Sequence, residues 1–291
     1  MKFTKMHGIG NDYVFVNCFL EKVENPSQTA TLISDRHFGV GSDGLILITP
    51  SEKADVRMRI FNADGSEAEM CGNGLRCVAK YTFDHGLAKS KGSFAVSVSN
   101  IFPHSFDIET GKGVLKVGLS LDNNGKADQV CVNMGQPILV PKDIPVDIDG
   151  ERTIAEPIQI EGNELRFTAV SMGNPHAVFF CDDVDAVKLK KIGPLIENNR
   201  LFPNRVNAHF VQILSPGKFR MRTWERGSGI TLACGTGACA CCVAAVLNNL
   251  SQRNCQAQLP GGMLDINWSS EDNCVYMTGS AVEVFEGVWN G

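Results

Sequence analysis

One short device occurs twice in this chain, and it limits what the chain can fold into. NADGSEAEMCGNGLRCVAK (Asn62–Lys80) places Cys71 directly before a Gly72-Asn73-Gly74 turn, and ERGSGITLACGTGACACCV (Glu225–Val243) places Cys234 before Gly235-Thr236-Gly237. After the first turn, Leu75, Val78, Ala79 and Thr82 fall on one face of a helical period, and Gly86 supplies a stop. Each cysteine is thus expected at the N-terminal mouth of a helix. Unpaired N–H groups and the positive end of the helix dipole favour a thiolate there, or a bound carboxylate.

The repeat extends beyond the cysteines. The offset of 163 residues between Cys71 and Cys234 also superimposes Arg57-Met58-Arg59 on Arg220-Met221-Arg222, and Gly10-Asn11 on Gly173-Asn174. Near the end of each half the offset falls to 149, matching Gly113-Val114-Leu115 with Gly262-Met263-Leu264. The difference predicts an insertion in the first half, and residues 93–106 are the candidate. The chain is therefore expected to be two copies of one domain, each carrying one thiol. The polar stretch Asp122–Asp128 is the expected hinge, dividing residues 1–128 from 129–278.

Length and composition fit that expectation. A chain of 291 residues suits two domains, and 43% hydrophobic with 20% charged residues is ordinary for a globular protein. A net charge of −5 offers no basic field for nucleic acid or an anionic membrane. The longest small-apolar run, Ala238–Leu247, is about half the length of a membrane span. The N-terminus MKFTKMHGIGND lacks the apolar core of a secretory signal, so a cytoplasmic protein is expected.

Eleven cysteines, an odd number scattered through a long chain, do not suggest a secreted disulfide framework. Cys239 and Cys242 form a C-x-x-C inside the second helix, without a second such pair or a spaced histidine pair, so no metal site is expected. Gly39–Gly44 is glycine-rich, but its strand follows it, which is the wrong order for a dinucleotide fingerprint. No cofactor is expected.

Predicted elements follow in order. Strands are expected at Tyr13–Phe19, Leu45–Thr49, Val56–Phe61, Phe94–Ser99, Gly113–Leu121, Ala177–Cys181 and Phe219–Trp224. A helix should begin at Pro26 behind an Asn25 cap, and another should run from Asp185 to Ile192 and stop at Gly193-Pro194. The helix after Cys234 is apolar nearly all round and must be surrounded.

Two thiols on related halves suit inversion of a carbon stereocentre. One thiolate removes a proton, and the other thiol delivers one to the opposite face. Backbone donors at Gly72-Asn73 and Gly235-Thr236 could hold an α-carboxylate and stabilise charge building on it.

At this point a resemblance joins the reading. HGIGNDY, GVGSDG, FNADGSEAEMCGNGLRC, SMGNPH, FPNRVNAHF, WERGSGITLACGTGACA and LPGG resemble diaminopimelate epimerase over almost the whole chain. The resemblance implies an α/β (α+β) fold of two pseudo-symmetric domains. Each would be a curved, mostly antiparallel sheet about a central helix, with a last strand, 279–291, returning to the first domain. It also implies interconversion of LL- and meso-diaminopimelate without pyridoxal phosphate, in lysine and peptidoglycan-precursor synthesis. Its two thiols fall on Cys71 and Cys234. Its substrate contacts fall on Asn11, Asn62, Asn174, Asn207, Glu225 and Arg226, with Gly72, Asn73, Gly235 and Thr236 on the reacting carboxylate. Arg226 suits a distal carboxylate and Glu225 an ammonium.

His176 stands as a supporting residue, and His7, His37 and His209 as structural or accessory ones. The chain departs from the family pattern at Gly44, where some members carry glutamine, and at Leu232, where glutamine is common before Ala-Cys. The expected partner is a small molecule, and a homodimer is left open. Three other functions compete: a proline or hydroxyproline racemase, a thiol redox module, and an amino-acid-binding protein without catalysis.

Overall fold

The computed structural model describes residues 1–97 and 100–291. Two compact units emerge, one of Met1–Asn133 with Thr278–Gly291, the other of Met134–Met277.

The first unit runs β1 (Lys2–Gly8), β2 (Asn11–Asn17), α1 (Pro26–Ser34), β3 (Gly44–Thr49), β4 (Val56–Asn62), β5 (Glu67–Ala68), α2 (Gly72–Asp84), β6 (Phe94–Ser97), β7 (Asn100–Phe102), β8 (His104–Thr110), β9 (Gly113–Leu121) and β10 (Ala127–Asn133). The second runs β11 (Glu156–Ile160), β12 (Asn163–Ser171), β13 (Pro175–Phe180), α3 (Leu189–Glu197), β14 (Asn207–Ser215), β15 (Lys218–Glu225), β16 (Gly229–Thr231), α4 (Gly235–Leu247), β17 (Asn254–Leu259) and β18 (Gly262–Trp268). After β19 (Val275–Ser280), β20 (Val282–Val288) pairs antiparallel with β1 in the first unit.

Strand pairing makes the internal repeat explicit. β1 and β2 pair antiparallel, as do β12 and β13. β2 pairs parallel with β3 across α1, and β13 pairs parallel with β14 across α3. The same agreement holds for β3–β4 with β14–β15, β4–β5 with β15–β16, the parallel β4–β8 with β15–β17, and β8–β9 with β17–β18. Both units are mostly antiparallel sheets with one long and one short helix, the α/β fold expected from the sequence.

The long helices are the centres. Every residue of α2 from Gly72 to Ala79 is buried, and so is every residue of α4 from Gly237 to Ala245. The short helices cover the opposite sheet face. Ala30 and Ile33 of α1 pack with Val14, Val16, Leu45 and Leu47, and Leu189 and Ile196 of α3 pack with Phe179, Ala208 and Phe210. A strand covered on both faces loses its polar alternation, which is why β3 is the continuous run GLILIT.

The anticipated insertion holds the antiparallel pair β6–β7. It packs on β9, where a Cβ at Gly118 would lie 2.4 Å from Phe94 and 2.8 Å from Phe102. The expected strand Phe94–Ser99 is seen as β6 to Ser97; Val98 and Ser99 lie outside the described residues.

Several boundaries differ from expectation. β1 was not anticipated, and β2 runs from Asn11 to Asn17 rather than from Tyr13 to Phe19. Asp122–Asp128 is no hinge: the Asp122 N–H donates to the Lys126 carbonyl at 2.8 Å, closing the turn between β9 and β10. α3 starts later than expected and runs through Pro194. Gly193 there lies against the Trp224 ring, and burial of Leu189 and Ile196 holds the turns on either side.

Candidate active site

Each long helix begins at one of the matched cysteines. Cys71 is the N-cap of α2 in extended conformation, and its sulfur accepts the Gly74 N–H at 3.5 Å. A side-chain acceptor at this position satisfies one of the helix's unpaired N–H groups. The Cys71 S–H donates to Asn11 Oδ1 at 3.3 Å, and Asn73 Nδ2 donates to the same oxygen at 3.2 Å.

Asn11 is itself fixed from behind. Its Nδ2 donates to Asp43 at 2.7 Å, and Arg36 ties Asp43 (3.0 Å) to Asp12 (2.9 Å). Burial works to raise the Asp12 carboxyl, but hydrogen bonds from Arg36 and Lys5 hold it below its ordinary value. The amide oxygen, not the amide NH2, is therefore presented to the Cys71 sulfur. The Tyr13 phenol beside it is pushed up by burial and by the neighbouring thiol.

In the second unit Cys234 caps α4, also in extended conformation and buried. Its sulfur makes no cap bond of the Cys71 kind, although the Gly237 N–H acts on it. Burial and then the Glu225 charge push this thiol well above its ordinary value, while the Gly237 N–H and the Thr236 hydroxyl pull it down. Thr236 Oγ1 lies 3.8 Å from the sulfur and accepts Asn174 Nδ2 at 3.4 Å. Asn174 Oδ1 meets His176 Nε2 at 3.0 Å. His176 Nδ1 lies 2.9 Å from His209 Nε2, and His209 Nδ1 lies 2.9 Å from Thr223 Oγ1. Burial drives the His209 pKa down to about 3.

The remaining expected positions have ordered surroundings. Asn207 Nδ2 donates to the Pro175 carbonyl at 2.8 Å, and its Oδ1 accepts the Arg226 N–H at 2.9 Å. The Arg226 guanidinium donates to the Asn204 carbonyl at 2.9 Å. Thr231 Oγ1 donates to Glu225 at 2.5 Å. Asn62, at the end of β4, is turned onto Ser66 at 3.0 Å.

The structure thus joins Asn11, Cys71 and Asn73 in one cluster, and Asn174, His176, Cys234 and Thr236 in another. At Gly44 an added Cβ would sit 2.2 Å from the Phe61 carbonyl oxygen, so no side chain fits that backbone. Leu232 is exposed, and its carbonyl accepts the Gly261 N–H.

Sequence reasoning missed Asp43, Tyr13 and Thr223, and took His209 as structural or accessory. One signal was present for Tyr13, which lies at the repeat offset from His176. Among the described residues, no helix is long and apolar enough to cross a membrane.

Comparison with known proteins agrees with the sequence pattern. The diaminopimelate epimerase family profile matches residues 3–140 and 168–284. A diaminopimelate epimerase from Acetivibrio thermocellus is 54% identical, covering 99% of this chain and 98% of its own. One from Methanococcus maripaludis strain C5 is 47% identical, covering 99% of both.

Among solved structures, a PhzF-family phenazine biosynthesis protein from Bacillus anthracis superimposes with a TM-score of 0.69 at 17% identity, covering 99% of this chain and 98% of its own. A hydroxyproline epimerase from Agrobacterium vitis, with bound trans-4-hydroxy-L-proline, gives 0.66 at 13% identity, covering 99% and 90%. At those identities the likeness is one of fold.

Proposed function

Because the chain belongs to the diaminopimelate epimerase family, we propose that it interconverts LL- and meso-diaminopimelate by two-base proton transfer at one α-carbon, without a cofactor. The observation that carries this reading is the duplicated cap: each unit places one cysteine at the first turn of a buried 13-residue helix. The proline- and hydroxyproline-racemase alternative is not favoured, since its likeness is one of fold at 13% identity, against 54% for a curated diaminopimelate epimerase.

The chemistry balances without an external reagent. A thiolate takes the α-hydrogen and becomes a thiol, and the other thiol gives its hydrogen to the opposite face and becomes a thiolate. The reverse reaction resets both. The hydrogen bond from Cys71 to Asn11 Oδ1 suits a protonated sulfur. The Thr236 hydroxyl can serve Cys234 in its charged form.

N–H groups of Gly72-Asn73 and Gly235-Thr236 bind the α-carboxylate and stabilise the carbanion, a kind of contribution worth about 2.7–4 kcal/mol per donor elsewhere. Arg226 and Glu225 hold the distal carboxylate and ammonium, while Asn11, Asn62, Asn174 and Asn207 orient the chain. Such a site would disfavour analogues that leave its polar groups unpaired. A reducing cytoplasmic setting keeps both thiols available.

Incubation with LL-diaminopimelate in heavy water tests the reading. The expected outcome is the meso form with deuterium at one α-carbon. Binding without exchange would instead make the protein a carrier. Cys71→Ala and Cys234→Ala should each lose turnover by orders of magnitude while keeping the fold, and a near-normal rate in either would remove that thiol from the mechanism.

A further inference from the structure

The buried hydrogen-bond chain behind Cys234 has a direction, and three of its members, His176, His209 and Thr223, lie outside the substrate-contact set. An amide oxygen can only accept, so His176 Nε2, 3.0 Å from Asn174 Oδ1, carries a hydrogen. His176 is completely buried, which favours the neutral ring. Its Nδ1 is then a lone pair and accepts from His209 Nε2–H at 2.9 Å. The neutral His209 ring in turn offers Nδ1 to the Thr223 hydroxyl at 2.9 Å.

At the other end, Asn174 turns its NH2 onto Thr236 Oγ1, which leaves the Thr236 hydrogen to donate to Cys234 Sγ, 3.8 Å away. From Thr223 to the sulfur, every hydrogen points the same way.

Sheet register builds this chain. His209 on β14 faces Thr223 on β15 directly, and His176 on β13 sits opposite Asn207, two residues before His209 on the same sheet face. His209 also touches the catalytic turn itself. A Cβ at Gly237 would lie 2.3 Å from its Cε1 and 2.9 Å from the Cys234 sulfur.

We propose that His209 and Thr223 are positioning residues: they fix His176 as the Nε2–H tautomer, so that Asn174 presents its NH2 to Thr236 and the Thr236 hydroxyl donates to Cys234. The proposal rests on Cys234 being an acid–base thiol. Burial and then the Glu225 charge act against a thiolate there, and the Gly237 N–H and the Thr236 hydroxyl, the last member of the relay, oppose them.

The test uses the full chain labelled with 15N-histidine, together with Thr223→Val, Thr223→Ser and His209→Leu. In the unsubstituted protein, nitrogen shifts should report Nε2–H for both His176 and His209; an Nδ1–H form of either overturns the proposal even if no variant folds. Thr223→Val keeps the volume but removes the hydroxyl. It should mix the tautomers and slow iodoacetamide labelling of Cys234, read on its peptide at fixed pH, by about three- to tenfold, a shift of about half to one pKa unit. Thr223→Ser should restore both, and His209→Leu should reproduce the loss.

In turnover, Thr223→Val should lower kcat and leave KM unchanged. If tautomers and labelling stay as in the unsubstituted protein, His209 and Thr223 only fill space. Neither readout needs epimerase activity, so failure of the relay and failure of the proposed reaction are distinguishable.

Discussion

Single residues in this fold carry opposite duties on the two sulfurs. Asp43 turns the Asn11 oxygen toward Cys71, whereas His176 occupies the Asn174 oxygen and sends the amide hydrogens toward Thr236. The repeat made Asn11 and Asn174 visible as a matched pair, but nothing in the sequence distinguishes their orientations. Asp43 lies 32 residues from Asn11, and behind Asn174 the links from His176 to His209 and from His209 to Thr223 span 33 and 14 residues, brought together by strand register. His209 also has a consequence for stability. Its pKa is about 3 in the fold and about 6.5 in an unfolded chain, so the unfolded state binds the extra proton between these values. The neutral ring's contribution is complete above pH 6.5, declines by about 1.4 kcal/mol per unit as pH falls, and levels off near pH 3. Denaturant titrations from pH 7 to 4 should show this slope, and His209→Gln should flatten it. An unchanged slope in that variant would mean the ring is protonated in the fold.

Elements built on a clean period were legible, and elements under two-sided burial were not. The Asn25 cap and Pro26 start of α1 were recoverable because the Asn25 side chain accepts the Gln28 N–H, the local chemistry its sequence advertises. β1 was hidden because Phe3, Thr4, Lys5 and Met6 are all buried, with Lys5 paired to Asp12, so no alternation survives. In α3 the Gly193-Pro194 pair signals a stop, yet the helix continues to Glu197. Proline removes one backbone bond there, and packing on Trp224, whose indole N–H donates to Glu197 at 2.7 Å, holds the following turn. This gives Gly193 a definite role. A Cβ would lie 2.4 Å from the Trp224 ring. Gly193→Ala should therefore destabilise the protein by about 1–3 kcal/mol, despite the ~1 kcal/mol that alanine normally adds in a helix. Thermal melts check this, and a raised melting temperature would show that α3 can shift away from the ring.

At the scale of the whole molecule, duplication explains the paired topology, and the chain ends explain how the first copy is completed. β1 is hydrogen-bonded to β2 on one side and to β20 on the other. Met1 and Trp289 exchange main-chain hydrogen bonds, each at 2.8 Å. Arg76 of α2 donates to the Ser280 carbonyl at 3.3 Å, and His85 at the end of α2 meets Glu283 at 3.1 Å. The second copy finds its equivalent edge partner in β11, immediately before β12 in sequence. The first copy must wait for the last residues of the chain. Removal of residues 281–291 should therefore act on one unit alone. Hydrogen exchange should accelerate at least tenfold for the amides of Phe3, Lys5 and His7, while the β14–β15 amides stay protected, because unpaired strand edges exchange through local opening. Uniform loss across both units would instead show that the two copies unfold as one, and unchanged protection in β1 would show that its hairpin with β2 suffices.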